Sequence, residues 1–107
     1  MEQQEGLAKD VAFKFFYDRP PKGDAHVFHF YLYYVDDADP GRPDKKFHHE
    51  WKISGTEHHI AKDKDALIAQ RKQENETAFR RNIAAELAAQ GKRIVRRGDG
   101  SVHLVDD

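Results

Sequence analysis

The chain contains no cysteine, and this absence excludes several kinds of chemistry. Without thiols it can have no disulfide framework, no thiolate nucleophile and no cysteine-ligated zinc or iron–sulfur site. Long apolar runs are also missing: no stretch resembles a signal peptide or approaches the roughly 20 residues of a membrane span. We therefore expect a soluble cytoplasmic protein with no membrane partner and no cofactor.

Net charge is also nearly absent, since 18 basic and 19 acidic side chains leave a formal charge of -1. This balance argues against a protein that coats nucleic acid or anionic lipid through bulk charge. The basic residues are nevertheless concentrated late in the chain. Residues 71–97 carry eight Lys or Arg against three Glu, whereas residues 1–59 carry eight against eleven acidic residues.

Glycine and proline are absent from residues 25–35, the stretch around which we expect the fold to form. Most of its side chains are aromatic or β-branched, which is typical of a strand. Successive side chains of a strand point to opposite faces. One face then carries phenylalanines and a leucine, and the other carries Val27, His29, Tyr31 and Tyr33. Both faces are apolar, so something must cover each of them.

The segments on either side of this central strand predict two more strands, at residues 11–17 and 47–53, because apolar and polar side chains alternate there. The turn at residues 19–24 contains two prolines and a glycine, so the first two strands should form a hairpin. The three strands together predict an antiparallel meander.

A long helix is predicted after the meander. Either Asp63 or Asp65 can serve as its N-cap, and it should continue to Gln90 with Gly91 as its C-cap. Eight consecutive polar residues, 70–77, leave two alternatives open. The segment forms one helix, which we favour, or two helices with a break in this stretch.

Residues 92–105 predict a C-terminal β-hairpin that turns at residues 98–101. The predicted fold class is α+β: an antiparallel three-stranded meander packed against one long helix, with a C-terminal β-hairpin, in the order βββαββ. The length suits a single domain, predicted over residues 11–105 after a flexible N-terminus at residues 1–10. The helix should cover the sheet face made by Phe13, Phe15, Phe28, Phe30, Leu32, Trp51 and Ile53.

The string Pro43-Asp44, followed by Glu50-Trp51-Lys52, resembles the motif of the PD-(D/E)xK nucleases. In that family an Asp and a Glu from neighbouring strands hold a divalent metal, and a Lys assists the attacking water. The order strand, strand, strand, helix, strand also resembles that family's core. Only five residues separate Asp44 from Glu50, so Asp44 has no room on a separate strand. A metal-dependent nuclease is an alternative; we expect a chain that is not an enzyme.

Histidines suggest a second kind of metal chemistry, because neutral imidazoles are good ligands for Zn²⁺ or Ni²⁺. Neighbouring residues of a strand point to opposite faces, so His48 and His49 cannot bind one ion without a bulge. No HExxH pattern is present. We therefore predict no metal site. The histidines around one end of the proposed sheet should be surface or partly packed residues: His26, His29, His48, His49, His58 and His59.

Nucleic-acid binding is another alternative. Aromatic side chains beside basic ones can stack on single-stranded bases, and Phe16, Tyr31 and Tyr33 with nearby lysines would form such a face. The acidic first half of the chain would repel phosphate, however. The alternative nucleic-acid surface is a basic track on the helix and hairpin, made of Arg71, Lys72, Arg80, Arg81, Arg96 and Arg97.

The second face of the central strand is the leading candidate site. Exposed aromatic patches on small proteins usually mark interfaces. We expect a small non-catalytic module that uses this face to form a homodimer or to engage a larger protein. A bacterial or phage accessory protein that modulates a host factor would fit this size and charge. The remaining alternative is that the C-terminal hairpin covers the face. The predicted partner-binding residues are Phe16, Val27, His29, Tyr31 and Tyr33.

Overall fold

A computed structural model describes residues 7–20, 24–42 and 44–106 of the chain. The described residues form an α+β fold with one antiparallel three-stranded sheet, one long helix and a C-terminal hairpin, which confirms the predicted fold class. The elements in chain order are β1 (Lys14–Asp18), β2 (His26–Tyr33), β3 (Val35–Asp36), β4 (Lys46–Ile53), α1 (Gly55–Ile60), α2 (Lys64–Gln90), β5 (Lys92–Arg96) and β6 (Val102–Asp106).

The first sheet has the strand order β1-β2-β4, with β2 at its centre as predicted. Both pairings are antiparallel, and Phe28 lies opposite Tyr17 on one side and Trp51 on the other. β1 is shorter than predicted because it begins at Lys14. Val11 lies outside it: its amide donates to Ala8 in a turn, and its carbonyl accepts from the Arg80 guanidinium.

The helix α2 covers the even-numbered side chains of β2, as predicted. Phe28 is 0% exposed and Phe30 is 2% exposed, and both belong to one core cluster with Phe79, Ile83 and Leu87 of α2. These three helix residues recur every four positions, so they form one stripe that faces the sheet. The core therefore lies between one face of the first sheet and the C-terminal half of α2.

The polar stretch of α2 does not break the helix, which runs without interruption from Lys64 to Gln90. It reaches the sheet through polar side chains instead. The Lys72 ammonium lies 4.3 Å from the centre of the Phe15 ring. His49 Nε2 and Asn75 Oδ1 form a hydrogen bond of 2.9 Å. The prediction of a single helix is thus confirmed, and its polar half is attached by cation–π and hydrogen-bond contacts.

The ends of α2 match their predicted caps. The Asp63 carboxylate accepts a hydrogen bond from the amide of Ala66, so Asp63 rather than Asp65 is the N-cap. Gly91 ends the helix with φ of 66°, a left-handed conformation that a residue with a Cβ adopts at a cost. No helix in the described residues combines the length and apolar character needed to cross a membrane.

A second small sheet joins the hairpin to β3, which was predicted as the end of the central strand and the start of a loop, and the hairpin also contacts Leu7 of the predicted flexible N-terminus. Its order is β3-β6-β5, with β3 parallel to β6. Leu7 forms a bridge to Ile94 and is only 4% exposed, so it belongs to the core. Residues 1–6 of the predicted flexible N-terminus lie outside the described residues, and the boundary of the domain stays a prediction.

The short helix α1 was not predicted, since Gly55–Ile60 shows no apolar period. Its first turn is capped by the Ser54 hydroxyl, which accepts from the amide of Glu57. The Glu57 carboxylate forms an ion pair with Arg71 of α2. Polar contacts rather than an apolar stripe therefore hold α1 in place.

His26, at the start of β2, links α1 to the first sheet. Its Nδ1 lies 2.6 Å from the Tyr17 hydroxyl, and its ring centre lies 4.0 Å from that of His58 on α1. Burial lowers the pKa of His26 below its ordinary value of 6.5, and the nearby positive charges of His58 and Arg19 lower it further. The folded state therefore favours the neutral imidazole.

We expect Ile83→Ala to lower the free energy of unfolding by about 2–5 kcal/mol, because it removes a buried side chain and leaves a cavity. Ile60→Ala is the matched control: Ile83 is 2% exposed and Ile60 is 70% exposed, and both lie on helices. The control should change stability by less than about 0.5 kcal/mol. Urea denaturation measures both values, and equal losses in the two variants would contradict the described core.

We expect the protein to lose stability as the pH falls below the ordinary His pKa of 6.5. The unfolded chain binds the His26 proton more readily than the folded chain does. The contribution of neutral His26 to the free energy of unfolding is therefore complete above pH 6.5 and is lost as the pH falls through the folded pKa. His26→Gln should weaken this dependence in urea denaturation at pH values on either side of 6.5. His59→Gln, an exposed position on α1, is the control. Identical pH profiles for the wild type and His26→Gln would show that His26 carries no such linkage.

Candidate functional site

The first sheet has a second face that points away from α2, which we call the outer face. Side chains two residues apart on one strand share a face, so the register of the three strands fixes its members. All five predicted partner-binding residues meet here. The outer face consists of Lys14, Phe16, Asp18, Val27, His29, Tyr31, Tyr33, Lys46, His48, Glu50 and Lys52.

Aromatic rings form the middle of the outer face. Tyr31 contacts Phe16 edge to face at 5.4 Å between ring centres and is stacked with Tyr33 at 5.8 Å. On its other side it is stacked with His48 at 4.6 Å, with an angle of 10° between the ring planes. Phe16 is 47% exposed and Tyr33 is 41% exposed. The result is a continuous ring cluster with a large solvent-accessible edge.

Charged side chains surround these rings, with lysines alone at one end and both carboxylates at the other. Lys14 and Lys46 flank Tyr33, with their ammonium groups 5.6 Å and 6.0 Å from its ring centre. Asp18 and Glu50 lie at the other end, on the two strands beside β2. We call these the basic end and the acidic end. Lys52 also lies at the acidic end, 4.0 Å from a Glu50 oxygen.

The C-terminal hairpin does not cover the outer face. Ile94 of β5 and Leu104 of β6 are buried in the core cluster with Leu87, and β5 packs against α2. Among residues 7–20, 24–42 and 44–106, no helix or strand packs on the outer face. The aromatic patch predicted from the sequence is therefore not covered by any helix or strand of these residues.

His29 lies at the centre of a polar network within the outer face. Its Nε2 is 2.9 Å from Asp18 Oδ2, and its Nδ1 is 2.9 Å from His48 Nε2. The same Nδ1 is 3.9 Å from Glu50 Oε1. Two imidazoles and one carboxylate thus present potential ligand atoms within 4.8 Å of one another.

The spacing of histidines along the chain does not predict this group, because its members lie on two different strands. His48 and His49 do point to opposite faces, as argued: His49 contacts Asn75 on the helix side. The partner of His48 is instead His29 on the neighbouring strand. The sequence signal for this group is the pattern His48-x-Glu50, which places both side chains on one face of β4. Glu50 lies directly opposite His29 in the register of β2 and β4.

The basic track does not form a continuous free surface. Arg71 pairs with Glu57, and Lys72 lies over Phe15. Arg80 lies over the Phe13 ring, and it also pairs with an acidic residue of α2. The two hairpin arginines, Arg96 and Arg97, pair with Asp10 and Asp37 respectively. Arg81 is exposed. Five of the six cations are thus occupied by groups of the same chain, which lowers the charge available to a phosphate backbone.

The residues of the nuclease-like motif are not brought together. Glu50 and Lys52 lie on the outer face of β4, while Asp44 precedes that strand and pairs with Arg42. From Lys46, where β4 begins, to Glu50 the strand advances about 13 Å, so Asp44 and Glu50 cannot share one ion. Asp36, an acidic residue after the central strand that could replace Asp44 in such a motif, accepts a hydrogen bond from the Lys45 ammonium instead. Pro43 lies outside the described residues.

The hydrogen bond of Asp36 has an electrostatic consequence. The amide of Ala38 and the Lys45 ammonium both stabilise its charged form and lower its pKa. Such a carboxylate stays ionised, and its ion pair ties β3 to the start of β4. The ion pair of Asp36 therefore has a structural role.

Comparisons with known proteins supply no further guide to this site. The chain matches no protein-family model, no curated protein and no solved structure.

Proposed function

We propose that this chain is a non-catalytic binding module whose outer face pairs with the outer face of a second copy. The observation that carries the proposal is the ring cluster of Phe16, Tyr31 and Tyr33, exposed on a sheet face that no described element covers. Apolar patches of this kind usually mark interaction sites. Tyrosine in particular offers a large rigid ring with a polar tip, which suits interfaces.

The distribution of charge favours a second copy as the partner. Lys14 and Lys46 lie at one end of the outer face, and Asp18 and Glu50 lie at the other, where they outnumber Lys52. The two copies can be related by a two-fold axis that lies between their outer faces and runs perpendicular to the strands. This axis would place the basic end of each copy over the acidic end of the other. Such an arrangement is isologous, as homodimer interfaces are. Two sheets packed in this way would form a sandwich about 10 Å apart.

The size of the outer face sets the expected strength of this association. The three strands contain 5, 8 and 8 residues. At about 3.4 Å per residue and about 4.8 Å between strands, they give a footprint of roughly 340 Å². Stable complexes bury about 800 Å² on each partner. An area well below this suits only weak association, so we expect a dissociation constant of about 100 µM, which corresponds to about -5.5 kcal/mol.

Single-stranded nucleic acid is a second candidate for the same face. The observation that favours it is the position of Lys14 and Lys46 beside the Tyr33 ring, since bases stack on aromatic rings while lysines contact phosphates. Asp18 and Glu50 would repel the same phosphates. Binding of an oligonucleotide that weakens steeply with salt would support this candidate, whereas pairing through aromatic area should respond little.

We expect the molar mass in solution to rise from that of one chain to that of two between about 10 µM and about 1 mM protein. Tyr33→Glu should keep the protein monomeric over this range, because it places a charge within the apolar contact. Size exclusion with light scattering measures the mass, and circular dichroism checks that the variant is folded.

Ile60→Glu is the matched control for this experiment. Ile60 is also an exposed large apolar residue, but it lies at the end of α1, away from the outer face. The control should associate as the wild type does. A wild-type protein that stays monomeric at all concentrations would overturn the self-association, and a heterologous protein partner would then be sought for the face.

A further inference from the structure

We propose that His29, His48 and Glu50 form a binding site for one divalent transition-metal ion of the zinc class. The three ligand atoms come from two neighbouring strands, and the rigid ladder between β2 and β4 fixes the spacing of their backbones. One potential ligand atom from each of the three residues lies within 4.8 Å of the other two, and His29 Nδ1 faces both His48 Nε2 and Glu50 Oε1. Every ligand belongs to one chain, so the site does not require the pairing of two copies.

The distances suit such an ion after small movements. In a tetrahedral site with nitrogen and oxygen ligands about 2.0–2.1 Å from zinc, the ligand atoms are about 3.3 Å apart. Here the two nitrogens are 2.9 Å apart, and Nδ1 of His29 is 3.9 Å from Oε1 of Glu50. The required separation falls between these two values. His48 and Glu50 are exposed, so their side chains can adjust without disturbing the core.

Asp18 supplies the support that metal-binding histidines usually have. Its Oδ2 lies 2.9 Å from Nε2 of His29, so Nε2 carries the proton and donates it to the carboxylate. The lone pair of His29 is then on Nδ1, the atom that faces His48 and Glu50. A carboxylate, a histidine and a metal in this order is a recurrent arrangement that fixes the ring and raises its basicity.

His48 is oriented by its neighbours as well. The Tyr31 ring is stacked on it at 4.6 Å between centres, which fixes the plane of the imidazole. Without metal, His48 Nε2–H can donate to His29 Nδ1 across 2.9 Å. When a metal binds, the proton of His48 would move to Nδ1, and both facing nitrogens would offer lone pairs to the ion.

The donor set selects the class of ion. Two imidazole nitrogens and one carboxylate oxygen suit Zn²⁺, Ni²⁺ or Cu²⁺, whereas Mg²⁺ and Ca²⁺ prefer oxygen ligands alone. Three protein ligands leave one tetrahedral position for water or for a group from a bound molecule. The site is therefore an open one on the surface of the sheet.

Isothermal titration of the purified full chain with Zn²⁺ at neutral pH tests this site, with Mg²⁺ as the contrasting ion. We expect one Zn²⁺ per chain and no heat from Mg²⁺. His48→Gln and Glu50→Gln should each abolish or severely weaken Zn²⁺ binding. Asp18→Asn, which keeps the shape but removes the charge behind His29, should weaken binding by about 10- to 100-fold.

His59→Gln is the matched control, because it removes an exposed histidine of α1 that is outside the site. Its affinity for Zn²⁺ should equal that of the wild type. Binding that survives His48→Gln, or that is lost in His59→Gln, would overturn the proposed site and assign the ion to other histidines. Absence of Zn²⁺ binding by the wild type would overturn it directly.

The same titration with Tyr33→Glu separates this inference from the proposed self-association. Tyr33 is not a ligand, so this variant should bind Zn²⁺ whether or not two copies pair. Zinc binding by a monomeric protein would support the site even if the wild type never dimerises. A variant that is folded by circular dichroism but has lost Zn²⁺ binding would show that the site depends on the paired state, contrary to the inference.

Discussion

The two-residue period of β2 is the constraint on which the rest of the structure depends. The strand carries apolar or aromatic side chains at both odd and even positions, so a single packing layer cannot bury it. α2 covers the even positions, where Phe28 and Phe30 are almost completely buried. The odd positions remain on the outer face, where Tyr33 is well exposed. Apolar area left in water costs about 25 cal/mol per Å², which is the physical reason for expecting this face to associate.

α2 is attached to the sheet by two different kinds of contact along its length. Its C-terminal half uses an apolar stripe, of which Ile83 is an almost completely buried member. Its N-terminal half packs only the partly buried Leu67 and Ile68 against the core. The polar stretch that follows places Lys72 over the Phe15 ring, and Arg80, just after that stretch, lies over the Phe13 ring. In both contacts the charged group itself lies over the ring as a cation–π interaction, and the Arg80 guanidinium also donates to the Val11 carbonyl. A polar sequence can therefore belong to a packed helix when its partners are aromatic.

The outer face joins two kinds of chemistry in a small area. Tyr31 is central to the aromatic cluster, and it also stacks on His48, one of the proposed metal ligands. The proposed ion would lie beside Asp18 and Glu50, so it would reduce the negative charge of the acidic end. Because pairing of two copies would depend on that charge, metal binding and self-association would be linked, and each would alter the free energy of the other. Such linkage requires no change of fold, because metal binding and self-association would both depend on side chains of one rigid sheet.

The sequence by itself determined the elements whose signals are local. Aromatic and β-branched composition marked the central strand, and alternation marked its neighbour β4. Asp63 or Asp65, together with Gly91, marked the ends of α2, because composition, periodicity and capping depend on residues only a few positions apart. The same alternation identified the aromatic side chains of the outer face.

Only the tertiary structure decided what depends on contacts between distant parts of the chain. β3 exists because β6, more than sixty residues later, offers it a partner, and Leu7 is buried because Ile94 lies beside it. The group of His29, His48 and Glu50 likewise required the register between two strands, and a shift of one residue would send His48 to the opposite face. Pairing register is a property of the assembled sheet, and that is why the composition and spacing of the histidines could not reveal it.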